Sequence, residues 1–316
     1  MKSRLFGFAL LSITAVAASA PAQAAGSLTR TFVSSTGSDS NPCTVTAPCA
    51  TFAAAYNAVA PNGIVAALDP GKYGPLTITG PVTINGNGWA AVTAAAQNNG
   101  FTVNAVSGNV TLTGLAIDGA QAGYNGIVFN SGSSLTVTNC VVQNMVQHGI
   151  LLAPTSGTID IAITNTTVSN NSTAGLYYQP PGGSPTVNAV FDRITATANG
   201  VGIGVYSPSA SGGTTSVSLT NSIASDNNAQ GIYAYTGPQP LALLIDNVNA
   251  SSNATGIEGA TTVKIVLGRS VVTNNSNYGI FNGTSTFYTY QNNEIYLNGN
   301  SNAVGGSGSL TPVTYQ

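Results

Sequence analysis

The chain has 316 residues, enough for one large repetitive domain or two ordinary ones. Charged side chains make up only 5% of it and the formal net charge is −2, so no basic stripe exists and nucleic acid is not expected as a partner. With 43% apolar residues in alternating order, the composition also excludes a disordered low-complexity chain.

Residues 1–25 read as a cleavable signal peptide: Lys2 and Arg4, the apolar run Leu5–Ala18, then Ala22-Gln23-Ala24. Cleavage leaves 26–316 as one domain with no transmembrane anchor. It has five basic against nine acidic side chains, a net charge of −4. The expected location is secreted or periplasmic. Segment 29–73 differs from the rest and reads as an N-terminal cap. A strand at Thr31–Ser34 leads through the turn-rich Gly37–Cys49 to a helix over Thr51–Ala60. Phe52, Ala55, Tyr56 and Val59 form its apolar stripe, and Pro61-Asn62-Gly63 stops it. Strands follow at Ile64–Leu68, Leu76–Thr79 and Val82–Ile84. Cys43 and Cys49 are expected to form a disulfide in an oxidising compartment; metal binding is weaker, with no histidine or further cysteine nearby. Asp39 and Asn41 beside that loop could hold calcium, but two oxygens are too few and an Asx turn explains them. No cofactor or metal is therefore expected. Cys140 reads as a small structural thiol.

Residues 74–304 are a repeat. Seven glycines, each followed by an apolar residue, recur at Gly126, Gly149, Gly175, Gly202, Gly231, Gly256 and Gly279, 23 to 29 residues apart. The segments before them share a form: Leu135–Thr138, Asn139, Val141, Asn144, Gly149-Ile150, then Ile161–Thr164, Asn165, Val168, Asn170, Gly175-Leu176. Such a period marks a solenoid whose units bury their apolar faces only against neighbours. Each unit has room for three short strands, as in Leu135–Thr138, Val141–Gln143 and Gly149–Ala153, with Asn139 and Asn144–His148 turning the corners. The expected fold is all-β, a parallel β-helix of about nine or ten coils with a short N-terminal capping helix. The tail 305–316 closes the other end.

Ten residues before the glycines stand Asn139, Asn165, Asp192, Asn221, Asp246 and Arg269, with Asn293 continuing the column; a second corner column holds Asn144, Asn170, Asp226, Asn274 and Asn298. Both read as structural ladders, because asparagine tolerates tight turns. Asp246 beside Arg269 reads as an inter-coil ion pair. The pairs Thr77/Thr79, Thr111/Thr113 and Thr136/Thr138 raise an ice-binding surface. The column decays to Ala162/Thr164 and Ala189/Phe191, so ordinary strand preference accounts for it.

The run Phe32-Val33…Gly37-Ser38-Asp39-Ser40-Asn41-Pro42, Pro48…Thr51-Phe52…Ala55, Gly63…Pro70-Gly71-Lys72-Tyr73 resembles the opening segment of secreted right-handed parallel β-helix proteins. The Asn-x-Ile…Asn…Gly-Ile units resemble the repeats of the pectin-lyase-like superfamily. That resemblance implies a right-handed coil and a Gly-Ile strand that floors a substrate groove, with catalytic residues just before the glycine. In this chain those slots hold Asn125, His148, Ala174, Val201, Gln230, Thr255 and Tyr278. Gln147-His148-Gly149 is similar to one polygalacturonase motif, but the aspartates are missing, against the two carboxyls that glycoside hydrolysis needs.

In each Gly strand the residue after glycine should point inward and the next outward, giving Val128, Leu151, Tyr177, Gly204, Tyr233, Glu258 and Phe281, with Tyr206 and Tyr235 two positions further on. Tyr177, Tyr206, Tyr233, Tyr235, Glu258 and Phe281 are thus the candidate ligand-binding residues, and sugar rings fit such an aromatic surface. The competing account is that loop Gln179–Pro185 or Ser207–Thr214 folds back over the rings. The leading expectation is non-catalytic polysaccharide binding or scaffolding in the cell envelope. The alternative is a polysaccharide lyase drawing on His148, Tyr177, Tyr233, Gln230 or Glu258.

Overall fold

The structure, a computed structural model, describes residues 26–314; the signal-peptide expectation falls on residues outside these. Apart from one helix, the described chain winds as a parallel β-solenoid with a right-handed coil. Each coil runs through three short strands on three faces. In one coil these are Ser134–Thr138 on the first sheet, Val141–Gln143 on the second and His148–Leu152 on the third. The third sheet stacks ten strands, all parallel. Alternation drives this arrangement: residue i enters the core, i+1 faces out, and like positions stack at the inter-strand spacing of about 4.8 Å. Ile127, Ile150, Leu176, Ile203, Ile232, Ile257 and Ile280 are accordingly fully buried.

A single residue in the left-handed region turns the chain from the first sheet to the second. It is Asn139, Asn165, Arg193, Asn221, Asn247 and Arg269 in successive coils, with φ between 47° and 55°. This corrects the corner column: Asp192 and Asp246 lie one residue earlier, ending first-sheet strands in register with Thr164 and Thr220. The coils differ in length, so a constant offset from glycine slips. Asp246 still pairs with Arg269, whose Nε donates to Oδ1 at 2.9 Å. The arginine is exposed, so the pair contributes little. At the next corner Asn144, Asn170, Asp226 and Asn274 take φ near +55 to +60° as expected, but Leu297 holds the equivalent place in the last coil.

Asn298 belongs instead to a buried column just past that corner: Asn171, Asn199, Asn227, Asn253, Asn275 and Asn298. Asn227 Nδ2 donates to Asn253 Oδ1 at 3.0 Å and to the Ala196 carbonyl at 3.1 Å, while its Oδ1 accepts from the Asn199 backbone N–H at 3.0 Å. The same pattern repeats at Asn199 and Asn275. Because this ladder is buried, its amides satisfy backbone groups that the corner would otherwise leave unpaired. It also explains the glycines. A Cβ on Gly231 would stand 2.6 Å from Asn253 Nδ2, and one on Gly256 2.7 Å from Asn275 Nδ2. Close approach, not backbone conformation, requires glycine there.

The helix spans Phe52–Ala58 and stops short of Ala60, because Val59–Ala67 pairs as a strand with Leu28–Val33. Thr51 caps it by accepting from the Ala54 N–H. Phe52 is buried against Tyr73 and Phe101, with ring centroids 5.3 and 6.3 Å away. Cys43 and Cys49 form the expected disulfide. The Asp39 carboxylate accepts from the N–H groups of Ala50 and Thr51 and from the Thr51 hydroxyl, each at 2.9 Å. Asn41 Nδ2 donates to the Pro48 carbonyl. These bonds form the turn that leads into the helix. At the far end Leu310–Pro312 continues the first sheet as its last strand.

On the first sheet Thr111 and Thr136 stack onto Ala162 and then Val190, not Ala189. Ala189 and Phe191 face the core and are buried. Thr77 lies on the third sheet, so the three threonine pairs do not share one face.

Candidate functional site

The outward row of the third sheet runs in register as Leu151, Tyr177, Gly204, Tyr233, Glu258 and Phe281, with Tyr206 beside Tyr235 two residues further on. All four tyrosines are half-exposed. Gly204 lets the row close up, since a Cβ there would collide with the Tyr177 ring. Tyr206 thereby reaches Tyr177 at 6.0 Å and Tyr233 at 5.9 Å, both stacked, and Tyr235 at 5.2 Å, tilted. His148 extends the stack, its ring 5.3 Å from Tyr177. Five rings therefore form one continuous ladder across four coils. Phe281 lies outside it and packs on Tyr278 at 5.3 Å.

The loops after these strands bind one another. Ser184 N–H donates to the Thr155 carbonyl, Ser211 N–H to the Gly183 carbonyl, and the buried Gln239 donates to the Pro185 and Gly212 carbonyls. They continue the coil at the sheet's edge. Beside these loops the four tyrosines keep part of their surface in solvent.

His148 is not the corner residue its sequence position implied. It begins the strand His148–Leu152 and is only 8% exposed. Its Nδ1 lies 3.0 Å from Asn125 Oδ1, which also accepts the His148 backbone N–H, and Asn125 Nδ2 donates to Asn99 Oδ1 at 3.0 Å. An amide oxygen only accepts, so Nδ1 carries the proton. Burial lowers the imidazole pKa to about 4, and the ring is neutral at pH 7. Burial, then Glu258, pushes Tyr233 up to about 12. Burial, then the neighbouring tyrosines, raises Tyr177 further. These hydroxyls keep their protons, serving as hydrogen-bond donors and acceptors but poorly as bases. Gln230 Nε2 donates to Glu258 Oε2 at 2.8 Å and orients that carboxylate. Glu258 is the one carboxylate on the third-sheet strands.

Of the catalytic candidates, His148 and Tyr177 meet, and Gln230 meets Glu258 beside Tyr233; Tyr177 and Tyr233 are two coils apart, with the Tyr206 ring stacked on both. Among the described residues no three His, Cys, Asp or Glu side chains gather to hold a metal. Cys140 is buried, its thiol pushed up to about 11 by burial. Sequence reasoning missed the start of the row. Asn99-Gly100-Phe101 is an earlier member of the glycine array, with Gly100 packed 2.7 Å (as a Cβ) from the Gly126 carbonyl. Its spacing of 26 residues before Gly126 was the available signal.

Residues 74–212 match the family described as right handed beta helix region. Two solved structures share the fold. Pectate lyase Pel9A is 19% identical, with a TM-score of 0.52, over 90% of this chain and 78% of its own. A rhamnogalacturonan lyase is 14% identical, with a TM-score of 0.55, over 88% and 86%. No curated protein sequence matches. The chain has the right-handed parallel β-helix fold that it shares with these two structures.

Proposed function

We propose that this is an exported, non-catalytic protein that holds polysaccharide along its third sheet. The observation that carries the reading is the unbroken ladder of rings from the buried His148 through the half-exposed Tyr177, Tyr206, Tyr233 and Tyr235. Aromatic faces suit the C–H faces of sugars, and tyrosine hydroxyls suit their rims. Both solved relatives are named as polysaccharide lyases, which supports a glycan as the ligand. Turnover has less support: a lyase needs a base and a group to stabilise developing charge, whereas here the tyrosines hold their protons and the imidazole is a weak base. Export is supported by the Cys43–Cys49 disulfide and by the pattern of residues 1–25. Among the described residues no helix is long and apolar enough to cross a membrane.

The test pairs Tyr177→Ala with Tyr233→Ala. If each ring contributes about 1 kcal/mol, the double variant retains glycan about tenfold or more weakly, with an unchanged circular dichroism spectrum. Undiminished retention would remove the tyrosines from the site. Release of unsaturated products from a uronate polymer would replace binding by lyase chemistry.

A further inference from the structure

The third sheet differs from the rest of the molecule in its charge. Its ten strands and the turns on either side contain no lysine or arginine. The five basic side chains of residues 26–314 all lie elsewhere: Arg30, Lys72 and Lys264 on first- and second-sheet strands, Arg193 and Arg269 at the corner between those sheets. The charges on this face are Glu258, in the aromatic row, and Asp226, in a flanking turn. A polyuronate laid here would bring a carboxylate per sugar against the Glu258 carboxylate, with no cationic side chain to offset its desolvation. Neutral hydroxyls face no such penalty.

The polar groups present are of the matching kind. Upstream of His148 the face opens into a groove of about 410 Å³, lined by Asn98, Asn99, Thr102, Tyr124 and Asn125 among others. Amides and hydroxyls there both donate and accept, as sugar hydroxyls do. The groove is continuous with the ring ladder, because Asn99 bonds Asn125 and Asn125 bonds His148. Tyr124 sits at its rim, 37% exposed.

We infer that the ligand of this face is a neutral glycan and not a polyuronate, its chain lying along the coil axis from the amide groove over the tyrosine row. This rests on the glycan-binding reading above and narrows it to one class of polymer. It also separates the chain from the polymers that the names of its solved relatives imply.

Affinity electrophoresis of the full chain tests it, in native gels containing a neutral β-glucan, mannan or galactan, or containing polygalacturonate with and without calcium. The expected result is retardation by at least one neutral polymer, little changed by added salt, and none by polygalacturonate at low ionic strength. Tyr124→Ala, an exposed substitution, should weaken neutral-polymer retardation about threefold or more. Retardation by polygalacturonate as strong as by any neutral polymer overturns the neutral class while leaving the aromatic site standing. Unchanged retardation of Tyr124→Ala overturns the groove's part in the chain path. Retardation by none of the polymers overturns the glycan reading itself, and this inference with it.

Discussion

His148 shows how one side chain's setting decides its chemistry. As the single histidine of the chain, it invites a catalytic role, yet the strand places it nearly out of water with its Nδ1 tied to Asn125. Its folded pKa lies near 4 against an ordinary 6.5. The unfolded chain therefore takes up this proton first as pH falls. The associated stability is fully present above pH 6.5 and is lost as pH falls towards 4, amounting to about 2–3 kcal/mol at pH 4.5. Asp69, held down to about 2 first by Ser34 and then by Tyr73, does not titrate in that window. Urea unfolding at pH 7.5 and 4.5 should show this loss in the parent protein and lose most of it in His148→Gln. A His148→Gln protein with the parental pH slope would mean that the imidazole is not desolvated as described.

At the level of the coil, the two asparagine columns divide the work. The corner residues need a left-handed backbone, and their side chains face water; Asn274 is one, with φ +56°. The buried column supplies hydrogen bonds that nothing else can reach. Asn227→Ala removes two acceptances from Asn199 and two donations, to Asn253 and to the Ala196 carbonyl. It should cost roughly 2–4 kcal/mol, against about 1 kcal/mol for Asn274→Ala, where only the left-handed backbone is penalised. Equal denaturation midpoints for the two variants would contradict this division. Sequence periodicity exposed most of the corner column but not the buried one beside it, although Asn170-Asn171 and Asn274-Asn275 are adjacent pairs. It could not say which member of each pair was buried, because a one-residue change in coil length moves an asparagine from solvent to core.

Across the whole molecule, a stack of parallel coils exposes unpaired strand edges at each end. The helix Phe52–Ala58 covers the first of these, anchored by Phe52 against Tyr73 and Phe101. Phe52→Ala should cost about 3–5 kcal/mol locally and loosen the cap, exposing the edge to a second chain. Light scattering should then show association that the parent lacks. A monomeric Phe52→Ala protein with faster hydrogen exchange in the cap would separate lost packing from edge protection.

The repeat of glycine and inward isoleucine was sufficient to establish a wound parallel sheet, since alternation and period depend only on local geometry and on burial between like units. The same reasoning placed the tyrosines on one outer face. Their union into a single ladder with His148 was decided in three dimensions: Gly204 had to leave room for the Tyr177 ring, and Asn125 had to draw His148 into a strand. The same holds for the face without basic side chains, because lysines and arginines scattered through the sequence sort to the other two sheets only once the coil is wound. Side-chain neighbours across coils lie 22 to 29 residues apart, and no local pattern reports a contact that far along the chain.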